Sequence, residues 1–351
     1  MKHILVVDDN LTSLKQIKTL LAQHYEVSLA KSGVQALQIC LHERPDLILL
    51  DVEMPEMDGF ETIERLKKIP TLKRIPLVFL TVNREPSVQI RGLELGARDY
   101  IIKPVAKNIL LHRIELQLRF ASFQSHLEHM VMKMSDMIAT SLAELIECRD
   151  ENTGGHVIRT SAYVDHIGRG LLEKNLFSEE LTGAELDMMV RAAPLHDIGK
   201  IVISDRILLK NGQLDENEFE DMKRHAAIGA EILEKIYSRT PSQHYLKYAI
   251  MIAHSHHERY DGAGYPLGLK GNEIPLCGRI MAVADVYDAL THDRVYHKGK
   301  THEEAYRLIM KDKGTHFDPL VLNVFEDIHE RMAADTMFME IPDIQSNGDY
   351  R

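Results

Sequence analysis

Residues 46–59 have the sequence DLILLDVEMPEMDG, in which a short apolar run ends at an aspartate, Asp51. Helix-like segments separate this run from four other short apolar runs in the first third of the chain. These runs are Ile4–Val7, Val27–Leu29, Leu77–Leu80 and Tyr100–Ile102. Short apolar strands that alternate with helices are typical of a parallel sheet covered on both faces. Residues 1–120 are therefore predicted to form an α/β domain with a doubly wound, five-stranded parallel sheet.

The residues that follow these strands form a chemical set. Functional residues in such sheets lie beyond the carboxyl ends of the strands. Four of those ends carry Asp8, Asp9, Asp51, Thr81 and Lys103. Converging carboxylates repel one another until a hard cation such as Mg²⁺ screens them, and Asp51 is then able to act as a nucleophile towards a phosphoryl group. Thr81 and Lys103 would hold the phosphoryl oxygens. The alternative, in which each acid only caps a helix, explains a single residue better than this set.

Further short motifs accompany these residues. They are the Asp8-Asp9 pair, Met54-Pro55 and Asp58-Gly59 after Asp51, and Lys103-Pro104. With them, residues 1–120 resemble a response-regulator receiver domain. The resemblance implies a Mg²⁺ site at Asp8, Asp9 and Asp51, phosphorylation of Asp51 by a histidine kinase, and a regulatory role. It also implies that Tyr100 is an aromatic switch residue whose rotamer responds to phosphorylation.

The middle of the chain is predicted to be one long helix, because the stretch from Val105 to Arg149 contains neither Gly nor Pro. Apolar residues recur along it four and three residues apart, at Leu116, Phe120, Phe123, Leu127, Met130, Met134 and Met137. This is the spacing of a coiled-coil seam, and methionines pack adaptably in such a seam. We predict a signalling helix at residues 121–145 that forms a parallel homodimer. The alternative is a single helix that packs against its own domains.

Histidines are concentrated in the last half of the chain. Twelve of the 19 histidines lie between His156 and His316, in a segment that is mostly helical in pattern. Helix bundles build dinuclear metal sites from inward-facing His and carboxylate side chains. The pair His196-Asp197 lies in the apolar stretch 194–200, where an unpaired Asp would be costly to bury. A metal ion removes that cost, so residues 146–331 are predicted to form an all-α bundle with a metal site.

Seven motifs follow one another in this segment. They are Arg149-Asp150 with Thr153-Gly154-Gly155-His156, His196-Asp197-Ile198-Gly199-Lys200, Lys223-Arg224-His225, His256-His257-Glu258, Asp261–Pro266, Asp285–Thr291 and Gly314–Pro319. With them, residues 146–331 resemble the HD-GYP domain, a subgroup of the HD metallophosphohydrolases that cleaves cyclic di-GMP. The resemblance implies a phosphodiesterase that forms linear pGpG, with onward cleavage to GMP left open. It also implies two transition metal ions, Fe or Mn by preference and Zn or Ni as alternatives.

The resemblance also assigns roles to individual residues. One ion is expected at His156, His196, Asp197 and Asp285. The second is expected at His225, His256, His257 and the bridging Asp197. Lys200 is expected to stabilise charge on the phosphate or leaving oxygen, so that Lys200 and Asp197 are the expected catalytic residues. Substrate contacts are expected from Lys200, Gly264, Tyr265, Pro266, Arg294 and Lys298. The Gly264-Tyr265-Pro266 loop is also expected to contact partner signalling domains.

Two departures from the family pattern leave questions open. Asn152 stands where some members have a Glu that supports a third metal, so a dinuclear site is favoured over a trinuclear one. His297 occupies a usual Lys position, with Lys298 one residue later, which suggests a weaker or shifted grip on phosphate. Another cyclic dinucleotide or pGpG therefore remains an alternative substrate. A non-catalytic scaffold that binds ligand or partner domains is the alternative from a different class.

The composition excludes several other classes of protein. The chain has 351 residues, of which 44% are apolar and 27% charged, as in ordinary soluble proteins. The net charge of −11 argues against a nucleic-acid-binding protein, and three scattered cysteines argue against a disulfide framework. No apolar stretch approaches the ~20 residues of a membrane span. The first apolar run begins at Ile4, which leaves no room for a signal peptide. We expect a cytoplasmic two-component output enzyme with a flexible tail at residues 332–351.

Overall fold

The computed structural model describes residues 1–150, 155–210, 212–241, 243–292 and 298–337. The chain divides into two compact units, Met1–Met132 and Lys133–Arg351. The domain boundaries predicted at residues 120, 145 and 331 stay predictions. Among the described residues, no helix combines the length and the apolar character that a membrane crossing requires.

The first unit contains a five-stranded parallel sheet, as predicted. Its strands are β1 (His3–Val7), β2 (Glu26–Ala30), β3 (Leu47–Asp51), β4 (Leu77–Thr81) and β5 (Asp99–Ile102). Their order is β2-β1-β3-β4-β5, and every pair is parallel. The chain moves outward from β1 in both directions, so the sheet is doubly wound and its switch point lies between β1 and β3. Asp51 ends β3 at this point.

Both faces of the sheet are buried. Successive residues of a strand point to opposite faces, and in β3 Ile48 and Leu50 belong to one core whereas Leu47 and Leu49 belong to the other. The first unit has helices α1 (Leu11–Leu21), α2 (Gly33–Glu43), α3 (Gly59–Lys68) and α4 (Pro86–Glu94), together with the first part of α5 (Lys107–Asp150). Polar side chains before three of these helices accept backbone N–H groups, which fixes where the helices begin. These caps are Asn10, Ser32 and Asp58.

Helix α5 confirms the predicted long helix and continues across the boundary between the two units. Leu110 and Ile114 near its start are fully buried in the core of the first unit. Ala143 and Ile146 near its end are also buried. The predicted seam between them is exposed, since every seam residue from Leu116 to Met137 is between 46% and 65% exposed. Dimerisation through this seam stays a prediction.

The second unit is helical in its described residues, as predicted. Its helices are α6 (His156–Glu173), α7 (Gly183–Ala192), α8 (Asp205–Leu208), α9 (Glu216–Arg239), α10 (Tyr245–Ser255), α11 (Leu276–Thr291), α12 (His302–Lys311) and α13 (Pro319–Met337). Short 3₁₀ turns cover Ala193–Leu195, Ile198–Val202 and Gly271–Glu273. Tyr163, Tyr287 and Phe325 lie in a single apolar core that joins α6, α11 and α13. Helix α13 continues past Arg331 because Met332 packs into this core.

Candidate metal centres

The first unit holds a group of acidic side chains beyond the carboxyl ends of its strands. Carboxylate oxygens of Asp8, Asp9 and Asp51 lie within 4.8 Å of one another. The Lys103 ammonium nitrogen is 2.7 Å from Asp8 Oδ2 and 2.6 Å from Asp51 Oδ2. Burial raises the pKa of Asp51, although the hydrogen bond and charge of Lys103 oppose that rise. Oxygen ligands of this kind suit Mg²⁺, whose charge would favour the ionised form of Asp51.

The two predicted switch residues lie on the neighbouring strands. Thr81 is buried at the end of β4, where its Oγ1 accepts a hydrogen bond from the Asn83 N–H at 3.0 Å. Tyr100 is partly buried on β5 and pairs in register with Phe79 of β4. The residue before it, Asp99, forms an ion pair with Arg113 of α5. Strand β5 therefore links the predicted switch residue to the start of the long helix.

In the second unit, a glycine brings the His196-Asp197 turn against helix α9. These two residues lie between the 3₁₀ turns Ala193–Leu195 and Ile198–Val202. A Cβ atom at Gly199 would be 2.0 Å from the carbonyl oxygen of His225, which no side chain tolerates. The close approach of the two backbones is thus possible only with glycine. It places Asp197 beside His225 of the facing helix.

Four side chains converge in a first cluster, made of Asp197, His225, His256 and His257. Asp197 Oδ1 is 3.1 Å from His225 Nε2 and 3.4 Å from His256 Nε2. These three atoms are buried, and none has a hydrogen-bond partner among the described residues. Buried polar atoms without partners are rare in folded proteins and unfavourable. A metal ion would satisfy all three atoms, so the donor set fits the transition metal that the sequence predicts.

A second cluster lies on the other side of the same carboxylate. It contains His156 of α6, His196 and Asp285 of α11. His156 Nε2 is 3.4 Å from His196 Nε2 and 3.8 Å from Asp285 Oδ1. His196 Nε2 is 3.4 Å from Asp197 Oδ2, so the two carboxylate oxygens of Asp197 face different clusters. The structure brings the seven predicted ligands, Asp197 included, together in these two clusters, which meet where His196 approaches Asp197; their role as ligands is a proposal.

Electrostatics favours the ligating forms of several of these groups. Burial lowers the pKa of His256 and lowers that of His257 well below its usual range, which keeps both rings neutral. Burial opposes the ionisation of Asp197, but the cations around it, Lys200 first, hold its pKa well below the usual range. Burial also disfavours the charged form of His196, yet the adjacent Asp197 carboxylate outweighs this and raises the pKa to about 9. Metal binding at His196 therefore displaces a proton.

Lys200 lies beside the bridging carboxylate. Its Nζ is 2.8 Å from Asp197 Oδ2 and 3.3 Å from Glu147 Oε1. Glu147 comes from the last turn of α5, as does Arg149, which donates to the carbonyl oxygens of Ile201 and Ile203 and pairs with Asp205. No local sequence signal singles out Glu147, because its partner Lys200 is 53 residues away. The end of the long helix thus contacts the turn that carries the metal ligands.

The Gly264-Tyr265-Pro266 loop borders the first cluster. Gly264 packs so tightly that a Cβ atom there would be 2.3 Å from the backbone nitrogen of Arg259. The buried Glu258 carboxylate accepts the N–H groups of Leu267 and Leu269 at 2.7 and 3.0 Å, which fixes the loop. The ring centroids of Tyr265 and His257 are 4.8 Å apart, so the tyrosine covers a predicted ligand. Burial raises the pKa of Tyr265, which stays protonated.

Other predicted positions are less informative. Arg294, His297 and Asn152 lie outside the described residues. Lys298 is exposed, and among the described residues its side chain makes no hydrogen bond or ion pair. Sequence reasoning also passed over Asp288 of α11, which is buried and hydrogen-bonded to His156 Nδ1 at 2.7 Å. Its spacing of three residues from Asp285 places both on one face of the helix and was the available signal.

Comparison with known proteins agrees with this architecture. The family model of the response regulator receiver domain matches residues 4–115, and that of the HD domain matches residues 140–321. The chain belongs to the HD-domain response regulators. Its predicted family is thereby confirmed. One relative of this HD-domain response regulator is named a probable cyclic di-GMP phosphodiesterase, from Vibrio cholerae serotype O1; it is 41% identical over 92% of this chain and 76% of its own length.

Two further relatives of the HD-domain response regulator match different shares of the chain. The cyclic di-GMP phosphodiesterase response regulator RpfG of Xanthomonas campestris pv. campestris is 35% identical over 90% of this chain and 85% of its own length. The 3′3′-cGAMP-specific phosphodiesterase 2 of Vibrio cholerae serotype O1 is 39% identical over 54% of this chain and 34% of its own length. The first likeness covers nearly the whole chain, whereas the second is confined to about half of it.

Proposed function

We propose that this HD-domain response regulator is a metal-dependent phosphodiesterase that hydrolyses cyclic di-GMP to linear pGpG under the control of Asp51 phosphorylation. The observation that carries the proposal is the position of Asp197, whose two oxygens face two separate groups of histidines. Two relatives that match nearly the whole chain are named as cyclic di-GMP phosphodiesterases, which supports cyclic di-GMP as the substrate. Fe or Mn is the expected metal, with Zn or Ni as alternatives.

The residues around the clusters suit phosphodiester hydrolysis. A pair of bound metal ions supplies the activation of a water molecule and the polarisation of the scissile phosphate. The Nε2 atoms of His196, His225 and His256 face the two oxygens of Asp197, and these four residues would help to hold the ions. The Lys200 ammonium is largely buried and 2.8 Å from Asp197, where it would stabilise negative charge that develops on the leaving oxygen. Tyr265 covers His257 and would exclude bulk water from that side.

Regulation is proposed to pass along α5. This helix has buried residues in the first unit, where Arg113 pairs with Asp99 next to Tyr100. Its last turn carries Glu147, which reaches Lys200. Phosphorylation of Asp51 by a histidine kinase would change the packing around Tyr100 and hence the start of α5. The exposed seam between the two ends supports a parallel homodimer as the form in which the helix acts.

A metal and product analysis tests the proposed activity. Protein purified without oxygen and loaded with Fe or Mn is expected to contain two ions per chain and to convert cyclic di-GMP to pGpG. Chromatography of the reaction products monitors this conversion. The double variant His196→Ala with Asp197→Ala should lose both ions and turnover. The matched control His244→Ala removes an exposed histidine outside both clusters and should keep both. Absence of cyclic di-GMP turnover in every metal and phosphorylation state would refute the proposal.

A second substrate is favoured by one observation. A relative named as specific for 3′3′-cGAMP is 39% identical over about half of this chain. A panel of cyclic di-GMP, 3′3′-cGAMP and pGpG, compared by kcat/KM, separates the candidates. A value for 3′3′-cGAMP or pGpG at least tenfold above that for cyclic di-GMP would change the assigned substrate and leave the metal chemistry intact.

A further inference from the structure

The Nδ1 atoms of four histidines in the metal centre have two kinds of hydrogen-bond partner. In three of them Nδ1 faces a backbone carbonyl oxygen of the preceding turn: His196 faces Ala193 at 2.9 Å, His225 faces Met222 at 2.6 Å, and His256 faces Ile252 at 3.0 Å. His156 instead donates to a carboxylate, Asp288 Oδ2, at 2.7 Å. A carboxylate acceptor carries a full charge, so it is the stronger partner and makes the ligating nitrogen more basic.

Asp288 is itself held by a second residue. Its side chain is 3% exposed, and Arg159 donates to it from Nε at 2.7 Å and from Nη2 at 3.0 Å. Arg159 follows His156 by three residues on α6, and Asp288 follows Asp285 by three residues on α11. Each helix therefore presents one predicted ligand and, one turn later, one member of a buried ion pair. Loss of either partner would leave an uncompensated charge in the interior, which is strongly unfavourable.

The ion pair determines which atom His156 offers to the metal. With Nδ1–H committed to Asp288, the lone pair of the neutral ring is on Nε2, the atom that faces His196 and Asp285. The bidentate Arg159 contact prevents Asp288 from rotating away. Among the described residues, no carboxylate accepts a hydrogen bond from Nδ1 of His225 or His256; both of these atoms face carbonyl oxygens instead.

We propose that Asp288 and Arg159 form a positioning pair for His156 and thereby make the two metal positions unequal. The position formed by His156, His196 and Asp285 depends on the pair, whereas the position formed by His225, His256 and His257 does not. This inference rests on the dinuclear centre proposed above, and it deepens that proposal by assigning a residue to the control of one ion.

Metal binding tests the pair without any measurement of turnover. The full-length chain, stripped of metal with a chelator, is titrated with Mn²⁺ by calorimetry and followed by electron paramagnetic resonance. The wild type should bind two ions and give a coupled two-ion signal. Asp288→Asn should weaken one position about 10–100-fold and leave the other unchanged. The coupled signal should then be replaced by that of a single ion.

A second buried ion pair provides the matched control. Asp318 Oδ2 is 2.6 Å from Arg279 Nη1, and both side chains are as buried as those of the proposed pair. Asp318→Asn should lower the unfolding temperature by a similar amount but keep two ions with wild-type affinity. Arg159→Lys, which leaves the His156 acceptor in place, should cause a smaller loss at the same single position and guards against misfolding of Asp288→Asn.

Three outcomes would overturn the inference or its basis. Two ions bound by Asp288→Asn with wild-type affinity would overturn it, because His156 would not need the pair. Equal loss of both ions in Asp288→Asn and Asp318→Asn would overturn it too, since general destabilisation would then be the cause. A wild-type chain that binds fewer than two ions would instead overturn the proposed dinuclear centre, which distinguishes the two failures.

Discussion

Substitution of Glu147 by Gln should uncouple the phosphodiesterase from the receiver domain. Glu147 lies in the last turn of α5, and its carboxylate is 3.3 Å from Lys200 Nζ. Lys200 in turn is 2.8 Å from Asp197, which faces both metal clusters. A displacement of the end of α5 would therefore move Glu147 and change the distance between the Lys200 ammonium and Asp197. Glutamine keeps the size of the side chain and removes its charge.

The structure sets the size of the expected effect. The Glu147 and Lys200 side chains are 9% and 12% exposed, so solvent screens their interaction only weakly. A hydrogen bond to a charged group contributes about 1.5–3 kcal/mol. At 3.3 Å the contact is long for a charge-assisted bond, which places it near the lower end of that range. Since 1.4 kcal/mol corresponds to a factor of ten, this contact can transmit a change of about tenfold.

The assay compares cyclic di-GMP hydrolysis with and without beryllofluoride, which mimics the phosphorylated receiver. In the wild type the ratio of the two rates should differ from one, by up to about tenfold through this contact. In Glu147→Gln the ratio should approach one, while two metal ions remain bound. Glu144→Gln, one turn earlier on the same helix, is the matched control and should keep the wild-type ratio.

Two results would refute this reasoning. A wild-type ratio in Glu147→Gln would show that the signal does not pass through the contact with Lys200. Loss of metal from Glu147→Gln, measured by elemental analysis, would assign the residue to support of the metal centre rather than to its control. Thermal unfolding of both variants separates these effects from a general loss of stability.

Three further predictions concern other parts of the chain. Asp51→Asn should abolish the effect of beryllofluoride on hydrolysis and leave the basal rate within about twofold; an effect that persists would place phosphorylation elsewhere. Native protein at pH 8 should expose one reactive thiol, Cys148, because the other two cysteines are buried and burial raises their pKa to about 12, which keeps them as unreactive thiols below that pH. Titration with a chromogenic disulfide counts them, and a count of two or three would contradict the burial. Phe123→Asp with Leu127→Asp should convert the proposed dimer to a monomer in light scattering, whereas Ser122→Asp should not.

Much of the receiver fold was predictable because its signals are local. Each strand is a short apolar run, and the carboxyl ends of neighbouring parallel strands meet at one edge whatever the details of packing. That rule alone brings Asp8, Asp51 and Lys103 together, and the distances agree. The order of the strands did not follow from the sequence, because more than one order is doubly wound.

The metal centre of the helical unit was predictable only in part. Motifs select the histidines, but periodicity places residues on helix faces and does not set the distances between helices. Asp285 and Asp288 share a face, and only the packing of α6 against α11 shows that Asp285 enters the cluster while Asp288 holds His156 from behind. The role of Gly199 depends likewise on the approach of a backbone 26 residues away, that of His225.

Helix α5 raises a mechanical question that the exposed seam helps to answer. The helix is buried at Leu110 and Ile114 at one end and at Ala143 and Ile146 at the other, whereas its middle is exposed to solvent. An isolated helical segment is marginally stable in water, because most helix stability in proteins comes from packing of an apolar face. A middle segment that frays would absorb a displacement of one end instead of passing it on. Packing of the seam against a second copy would stiffen the segment, so disruption of the dimer should abolish regulation by Asp51 even if each metal centre remains intact.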